Sequence, residues 1–384
     1  MPAIAEEHRY PCDQCGAELR FAPGQSVLKC DHCGHVQKIA APPLALASSS
    51  GPWADSGKPF PELDLARGLA DDLPDTASHE VRSTHCTNCG AMVTFQGANH
   101  ATECPFCATP LVVDSGSQRH IKPQALIPFQ LDEGTARKAL IAWLGSLWFA
   151  PNRLLEFTRA GRAMNGVYVP YWTFDADTQS RYRGQKGVHY YETRTVTVNI
   201  NGKSERRTEQ VQKTRWYPAS GNVARRFDDV LVIAATSLPK SLGEGLEPWD
   251  LSAMQPYNPD YLAGLQAEGY TIALSDGHQS GRAKMDAVIY SDVCRDIGGD
   301  VQRVDSIDSD YRDETFKHIL LPIWMAAYKY SGKSYRFLVN GLTGEVQGER
   351  PWSVWKITFA VLGGLILIGG AVYGYYLYDP AAFQ

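Results

Sequence analysis

CDQCGAELRFAPGQSVLKCDHC, residues Cys12–Cys33, is the stretch on which the reading of this chain turns. Its spacing is C-x2-C-x14-C-x2-C, and CTNCGAMVTFQGANHATECPFC, Cys86–Cys107, repeats that spacing unchanged. Two close cysteine pairs on facing turns suit a tetrahedral zinc site, each C-x2-C forming a tight knuckle. Cys12, Cys15, Cys30 and Cys33 are thus candidate ligands of one Zn2+, and Cys86, Cys89, Cys104 and Cys107 of a second. Gly16, Gly34 and Gly90 follow the second cysteine of three pairs, where the turn needs a permissive backbone, and Ala108 takes that place in the fourth. Four thiolates close the coordination shell, so both zincs are expected to be structural, without an open position for water.

The opening decapeptide is short, polar and acidic, unlike a secretory leader, so a reducing compartment with zinc thiolates is expected over disulfides. A hydrophobic share of 44%, a charged share of 21% and a net charge of −5 describe an ordinary folded protein of about two to three domains. Near the C-terminus, however, Ile357–Leu377 is free of charge. At about 1.5 Å per residue it spans roughly the 30 Å hydrocarbon core. Trp352 and Trp355 flank one end, and Tyr373, Tyr375, Tyr376 and Tyr378 crowd the other, as in interfacial aromatic belts. Arg350 and Lys356 precede the run and only Asp379 follows it, so the positive-inside rule keeps the bulk in the cytoplasm. The expectation is a single-pass, tail-anchored protein of the inner (cytoplasmic) membrane with its C-terminus outside. Ala360-x3-Gly364 and Gly370-x3-Gly374 are small-residue spacings that would let two such helices approach and form homo- or hetero-oligomers.

Between these landmarks the pattern divides the chain into zinc ribbon 1 (1–39), a flexible Pro/Ser/Gly/Asp-rich linker (40–84), zinc ribbon 2 (85–114), an α+β body with antiparallel sheet (119–350), a transmembrane helix (352–378) and a short external tail (379–384). Ribbon 2 is expected to pack on the body while ribbon 1 moves on its tether. Within the linker, Phe60–Leu73 carries enough leucine for a short docked helix. In the body, an amphipathic helix should run from Leu131-Asp132 to about Phe149, with Ala136, Leu140, Trp143, Leu144 and Leu147 on one side. Val167–Trp172 begins a β region. Thr/Val alternation before Asn201-Gly202 signals a hairpin returning through Lys203–Trp216. A short strand at Val230–Ala234, a small helix after Asn258-Pro259, a longer one over Ser280–Ile297 and strands from Ile319 onward complete it. Val169-Pro170-Tyr171-Trp172 and Leu321-Pro322-Ile323-Trp324 echo one another and are expected to open two strands of one sheet.

Catalytic signals are thin. Ser331-Gly332-Lys333-Ser334 has Ala327 where a phosphate loop needs its first glycine, and no G-x-S-x-G, H-E-x-x-H or G-x-G-x-x-G occurs, so no enzyme is expected. Nucleic acid is disfavoured by charge. His85–Asp114 has no Lys or Arg, and Met1–Ile39 has four basic residues against five acidic. Charge is polarised within the body instead. Arg181–Arg226 holds eleven basic residues and three acidic, and Phe227–Leu320 holds seventeen acidic and seven basic. Arg194, Lys203, Arg206, Arg207, Lys213 and Arg215 are therefore candidates for contact with anionic membrane lipid or a partner, unless the acidic half neutralises the hairpin.

The knuckles CDQCG and CDHCG, followed by LIPFQLDEGTARKALIAWL, VYVPYWTFDA, the VNGLTGEVQGERPWS ending (Val339–Ser353) and a terminal span, resemble bacterial membrane-anchored zinc-ribbon proteins of the transcription factor IIB-ribbon type. Such proteins are often labelled primosomal protein N′, replication factor Y or superfamily II helicase. This sequence has no nucleotide-binding loop and no helicase box. The resemblance implies a membrane-tethered adaptor in membrane stress, beside flotillin-like (SPFH-domain) or phage-shock-type protein partners. A membrane-bound nucleic-acid-binding protein is the rival reading.

Overall fold

The computed structural model describes residues 10–39, 62–88, 90–94, 101–104, 106, 109–112, 117–147, 164–200, 203–330, 333–349 and 354–378. It is a mixed α+β molecule built largely on antiparallel pairing. Ribbon 1 folds as a three-stranded meander of β1 (Leu19–Ala22), β2 (Val27–Cys30) and β3 (Val36–Lys38). It is seated on the body, in contrast to the tethered module expected. Phe21 N donates to Ala263 O at 2.9 Å, Gly24 N donates to Phe129 O at 2.9 Å, and the Phe21 and Tyr261 rings meet edge to face. A meander this small has too few apolar residues for a core of its own. Leu19, Phe21 and Leu28 find one by joining Leu126, Phe129, Tyr168 and Leu262.

The segment read as linker is ordered in its second half. β4 (Leu63–Asp64) pairs with the body, and α1 (Leu65–Leu69) follows, capped by Asp64 accepting from Arg67 N. α1 lies so close that a Cβ on Gly68 would meet the Phe316 ring at 2.5 Å. Leu63, Leu65 and Leu73 thus dock on the chain's own body and Leu69 stays exposed, while 40–61 lies outside the described residues. β5 (Ser78–His85) then pairs with β6 (Met92–Thr94) and with β9 (Ser117–Ile121), and β7 (Ala101–Glu103) pairs with β8 (Pro110–Val112). β10 (Ala125–Leu126) leads into α2 (Glu133–Ser146), whose N-cap Asp132 accepts from Thr135 N. The expected end of that helix at Phe149 lies outside the described residues, as does the tail 379–384.

Three very long strands organise the body. β11 (Asn165–Ile200) has 36 residues, β12 (Lys203–Ile233) 31 and β15 (Val301–Tyr330) 30, in the order β12-β11-β15. The hairpin expected around Asn201-Gly202 is the far end of β11–β12, and Val230–Ile233 proves to be the near end of the same β12. After β12 come α3 (Lys240–Glu244), β13 (Gln255–Pro256), a single 3-10 turn at Pro259–Leu262 in place of the expected small helix, β14 (Gln266–Ala267) and α4 (Leu274–Ile297). α4 begins upstream of the expected Ser280. Its Gly277 and Gly281 lack helix propensity but let the axis approach Trp172 and Phe174, where a Cβ would sit at 2.5 and 2.7 Å. β15 starts well before Ile319. Its acidic first half lacks strict apolar alternation and is held by pairing instead, with Asp308 opposite Arg181 and Arg312 opposite Asp177. β16 (Lys333–Asn340), β17 (Val346–Gly348) and α5 (Val354–Tyr378) finish the chain.

The two Pro-containing echoes lie against each other, Tyr168 opposite Pro322 and Pro170 opposite Leu320, in mid-strand and not at strand openings. Pro170 O accepts from Ala234 N at 3.0 Å, and Pro322 O accepts from Gly341 N at 2.8 Å. In a strand, a residue's N and O point to the same side. Each missing N–H therefore falls just past the last ladder pair, Tyr171 with Ile233 and Ile323 with Asn340, where no ladder bond needs it. The pattern is two-fold in character. β10 runs parallel to β15 beside one proline, and β14 runs parallel to β11 beside the other.

Candidate metal centre

The thiols of ribbon 1 converge. Cys12 Sγ and Cys33 Sγ are 3.5 Å apart, as are Cys15 Sγ and Cys30 Sγ, and all four sulfurs lie within 4.8 Å of one another. A zinc with bonds of about 2.3 Å sets tetrahedral sulfurs about 3.8 Å apart, so the donor set fits the ion in chemistry and in span. Cys12 and Cys30 are buried, and Cys15 and Cys33 face out. Paired hydrogen bonds close each knuckle. Gly16 N donates to Cys12 O and Cys12 N to Ala17 O, while Gly34 N donates to Cys30 O and Cys30 N to His35 O, all within 2.9 Å. Gly16 and Gly34 have φ of 73° and 77°, the left-handed region the turn demands.

Charge on the sulfurs is unevenly spread. The backbone N–H of Cys33, helped by that of His32, draws the Cys30 thiol down to about 6, favouring the thiolate that a metal requires. The N–H of His35 pulls the same way on Cys33, but desolvation and the neighbouring thiols prevail and push it up to about 12. A divalent cation among the four removes that opposition.

Ribbon 2 is described at two of its four cysteines. Cys86 and Cys104 are buried in a core with Ala91, Phe106, Val169 and Leu321. Cys86 N donates to Ala91 O and Gly90 N to Cys86 O, both at 2.8 Å, with Gly90 at φ 75°, which is the bonding of the ribbon 1 knuckles again. Cys104 N donates to Thr109 O in the same manner. Cys89 and Cys107 lie outside the described residues. Among the described residues, the four-thiol group is therefore the one at ribbon 1.

One turn with the same backbone carries no cysteine. In Asn340–Glu345, Gly344 N donates to Asn340 O at 2.9 Å, Asn340 N donates to Glu345 O at 2.8 Å, and Gly344 has φ 81°. In the place of a knuckle's first cysteine stands the buried Asn340. Its Oδ1 accepts from Leu342 N and Thr343 N at 2.8 and 3.1 Å, and its Nδ2 donates to Leu246 O at 3.1 Å. The signal lies in Asn340-x-x-Thr343-Gly344, the spacing of a knuckle with its cysteines exchanged.

A second acidic group, Glu62, Asp175 and Asp228, also has its oxygens within 4.8 Å of one another. Here the chain supplies its own cation. Lys317 is fully buried, and its Nζ lies 3.1 Å from Glu62, 2.8 Å from Asp175 and 2.7 Å from Asp229. Burial opposes its charge, but the carboxylates of Asp175, Asp229 and Glu62 outweigh burial and hold it well above the usual lysine range. No local pattern announces this cluster, because its members are far apart in the chain.

The other candidate residues lie on other elements than the thiols. Arg194, Lys203, Arg206, Arg207, Lys213 and Arg215 all lie on the part of the β11–β12 hairpin that continues past the end of β15. Lys213 forms an ion pair with Glu192, Arg194 stands opposite Glu209, and Arg215 stacks over Tyr190 at 4.9 Å. Further back, Arg225 is taken by Asp292 of α4, so the acidic half neutralises that arginine of the hairpin. Ala360, Gly364, Gly370 and Gly374 lie on α5, and no other part of the described molecule comes within 4 Å of a Cβ built on the three glycines. Within α5, Trp355–Tyr375 has a mean hydropathy of 2.0 and is not buried by the rest of the protein, so it is one helix long and apolar enough to cross a membrane.

Comparison with known proteins finds a likeness that runs nearly end to end. The chain is similar to the uncharacterized protein YdjG of Bacillus subtilis, 24% identical over 364 residues that cover 93% of this chain and 95% of that protein. No family model matches the sequence, and no solved structure matches it.

Proposed function

We propose that this protein is a membrane-tethered zinc-ribbon adaptor that gathers partner proteins at the inner membrane. The observation that carries the reading is the pairing, in one chain, of a convergent four-thiol cluster with an unburied apolar helix of membrane length. Zinc held by Cys12, Cys15, Cys30 and Cys33, and a second zinc held by the equivalent Cys86, Cys89, Cys104 and Cys107, supplies structural closure and no open coordination position. The residues between the ligands do the presenting. Asp13, Gln14, Asp31 and His32 are exposed at the knuckle tips, on turns fixed by their own hydrogen bonds, so they offer a rigid polar surface to a protein partner. Arg350 and Lys356 before the span keep that surface on the cytoplasmic side, with the C-terminus outside. The resemblance to membrane-anchored ribbon proteins points to flotillin-like or phage-shock-type partners.

Affinity purification from solubilised membranes tests the proposal, comparing wild type with Cys12→Ser and Cys86→Ser. Co-purifying proteins should drop out in one or both variants while the protein stays in the membrane fraction. Identical partners in all three samples would remove the ribbons from the adaptor role, and wild type in the soluble fraction would remove the tether.

A further inference from the structure

The hairpin that continues past β15 has two edges of opposite character. β15 pairs with β11 no further than Gly187 opposite Val301, whereas β11 and β12 stay paired to Ile200 opposite Lys203. From Tyr190 to Ile200, β11 has a described neighbour on one side only, roughly 35 Å of open strand edge at about 3.3 Å per residue. Gly187 O and His189 N both bond to Asp300 on the β15 side. By strand alternation, Tyr191, Thr193 and Thr195 turn their N–H and C=O groups to the open edge.

Folded proteins guard such edges with charge, proline or bulges. The β12 strand is guarded, since KSERRTEQVQKTR from Lys203 to Arg215 is charged at seven positions. The β11 edge is not. VHYYETRTVTVNI, Val188–Ile200, carries Glu192 and Arg194 as its only acid and strong base, contains no proline or glycine, and pairs with β12 without a register shift. Alternating Thr and Val at low net charge is the composition that accepts another strand. A two-stranded ribbon is itself marginal in water, so an added strand would also stabilise it.

We propose that this edge joins two copies of the chain, β11 pairing antiparallel with β11 of a second copy to make a four-stranded β12-β11-β11-β12 sheet. Self-complementarity selects the occupant. A two-fold axis through Thr193 sets Glu192 against Arg194 of the second copy and, by symmetry, Arg194 against its Glu192. The same register places Tyr191 against Thr195 and Tyr190 against Val196. These are opposite-charge and aromatic–β-branched pairs of the kind that stabilise antiparallel sheets. Tyr191 is 66% exposed in the single chain, and this pairing gives it a cross-strand neighbour. The new ladder ends with Tyr190 opposite Val196, short of His189, whose N–H Asp300 already takes.

Cross-linking of the full-length protein in detergent micelles reads the register directly. Under mild oxidation Thr193→Cys should yield a covalent dimer at least roughly tenfold above both wild type and Thr197→Cys, because only cysteines within about 7 Å (Cα to Cα) can be bridged. In the proposed register the two copies of residue 197 lie about 26 Å apart at about 3.3 Å per residue. Thr195→Lys adds an edge guard at an exposed position and should weaken the dimer roughly tenfold or more in sedimentation, with zinc content unchanged. A protein that stays monomeric at every concentration overturns the proposal. So does a dimer indifferent to Thr195→Lys that cross-links equally at 193 and 197. Binding to phosphatidylserine vesicles that Thr195→Lys strengthens, without the Thr193→Cys cross-link, would overturn it too and assign the hairpin to lipid.

Discussion

The turns Cys12–Ala17 and Asn340–Glu345 have the same pair of backbone hydrogen bonds and the same left-handed glycine, yet they are filled differently. In the first, the thiols of Cys12 and Cys15 face the knuckle at Cys30 and Cys33, a set of four sulfurs that could share one ion. In the second, one buried amide accepts the two inward N–H groups itself. The ribbon turn thus offers its side chains to an ion, and the β16–β17 turn satisfies itself. A third arrangement lies between them: the Glu62, Asp175 and Asp229 carboxylates surround a cation that the chain provides as Lys317.

The difference can be broken experimentally, beginning with the largest effect. Removing zinc with a strong chelator should unfold ribbon 1, because structural zinc contributes roughly 10 kcal/mol or more to such small modules. Amide exchange would then rise across residues 12–38, while Asn340–Glu345 keeps its protection. Replacing the internal cation comes next. Lys317→Met leaves buried carboxylates without their counter-ion and should cost about 3–5 kcal/mol in denaturant unfolding at neutral pH. The sign with pH follows from Asp175, which burial already holds above the usual carboxylate range against the pull of Lys317. Without the ammonium it rises further above its unfolded value. The loss should therefore be full at neutral pH and shrink as pH falls and the carboxylates take up protons.

Asn340→Ala should cost about 2–4 kcal/mol, since it orphans the N–H groups of Leu342 and Thr343 in a site with no exposure. Zinc content should not change in that variant, which separates the two turns cleanly. The smallest effect tests the shared backbone. Gly16→Ala and Gly344→Ala both force a Cβ into the left-handed region and should each cost about 1–2 kcal/mol. Gly344→Ala should cost slightly more, because its Cβ would meet Leu131 at 3.2 Å while nothing lies within 4 Å of the one at Gly16.

Local chemistry is the legible part of the sequence. The cysteine spacing locates the thiol cluster, Asn201-Gly202 the hairpin, Asp132 a helix start, and the uncharged run the terminal helix. Each of these is decided within a few residues. What escapes is decided between distant segments. The first half of β15 is acidic and weakly periodic, and becomes a strand by pairing along β11, where Arg181 stands opposite Asp308. α4 extends back over Gly277 and Gly281 because Trp172 and Phe174 need the space. A polar linker makes ribbon 1 look mobile, but its leucines and Phe21 complete a core with Phe129 and Tyr168 that neither segment announces alone. Lys317 and its three carboxylates are hidden for the same reason.

Zinc counting on the intact, purified protein by native mass spectrometry tests the central claim most directly, with Cys12→Ser and Cys86→Ser measured beside wild type. The account predicts two zinc ions per chain in wild type and one in each variant. A wild-type chain that is folded and free of zinc, or a zinc count that neither substitution changes, would contradict it.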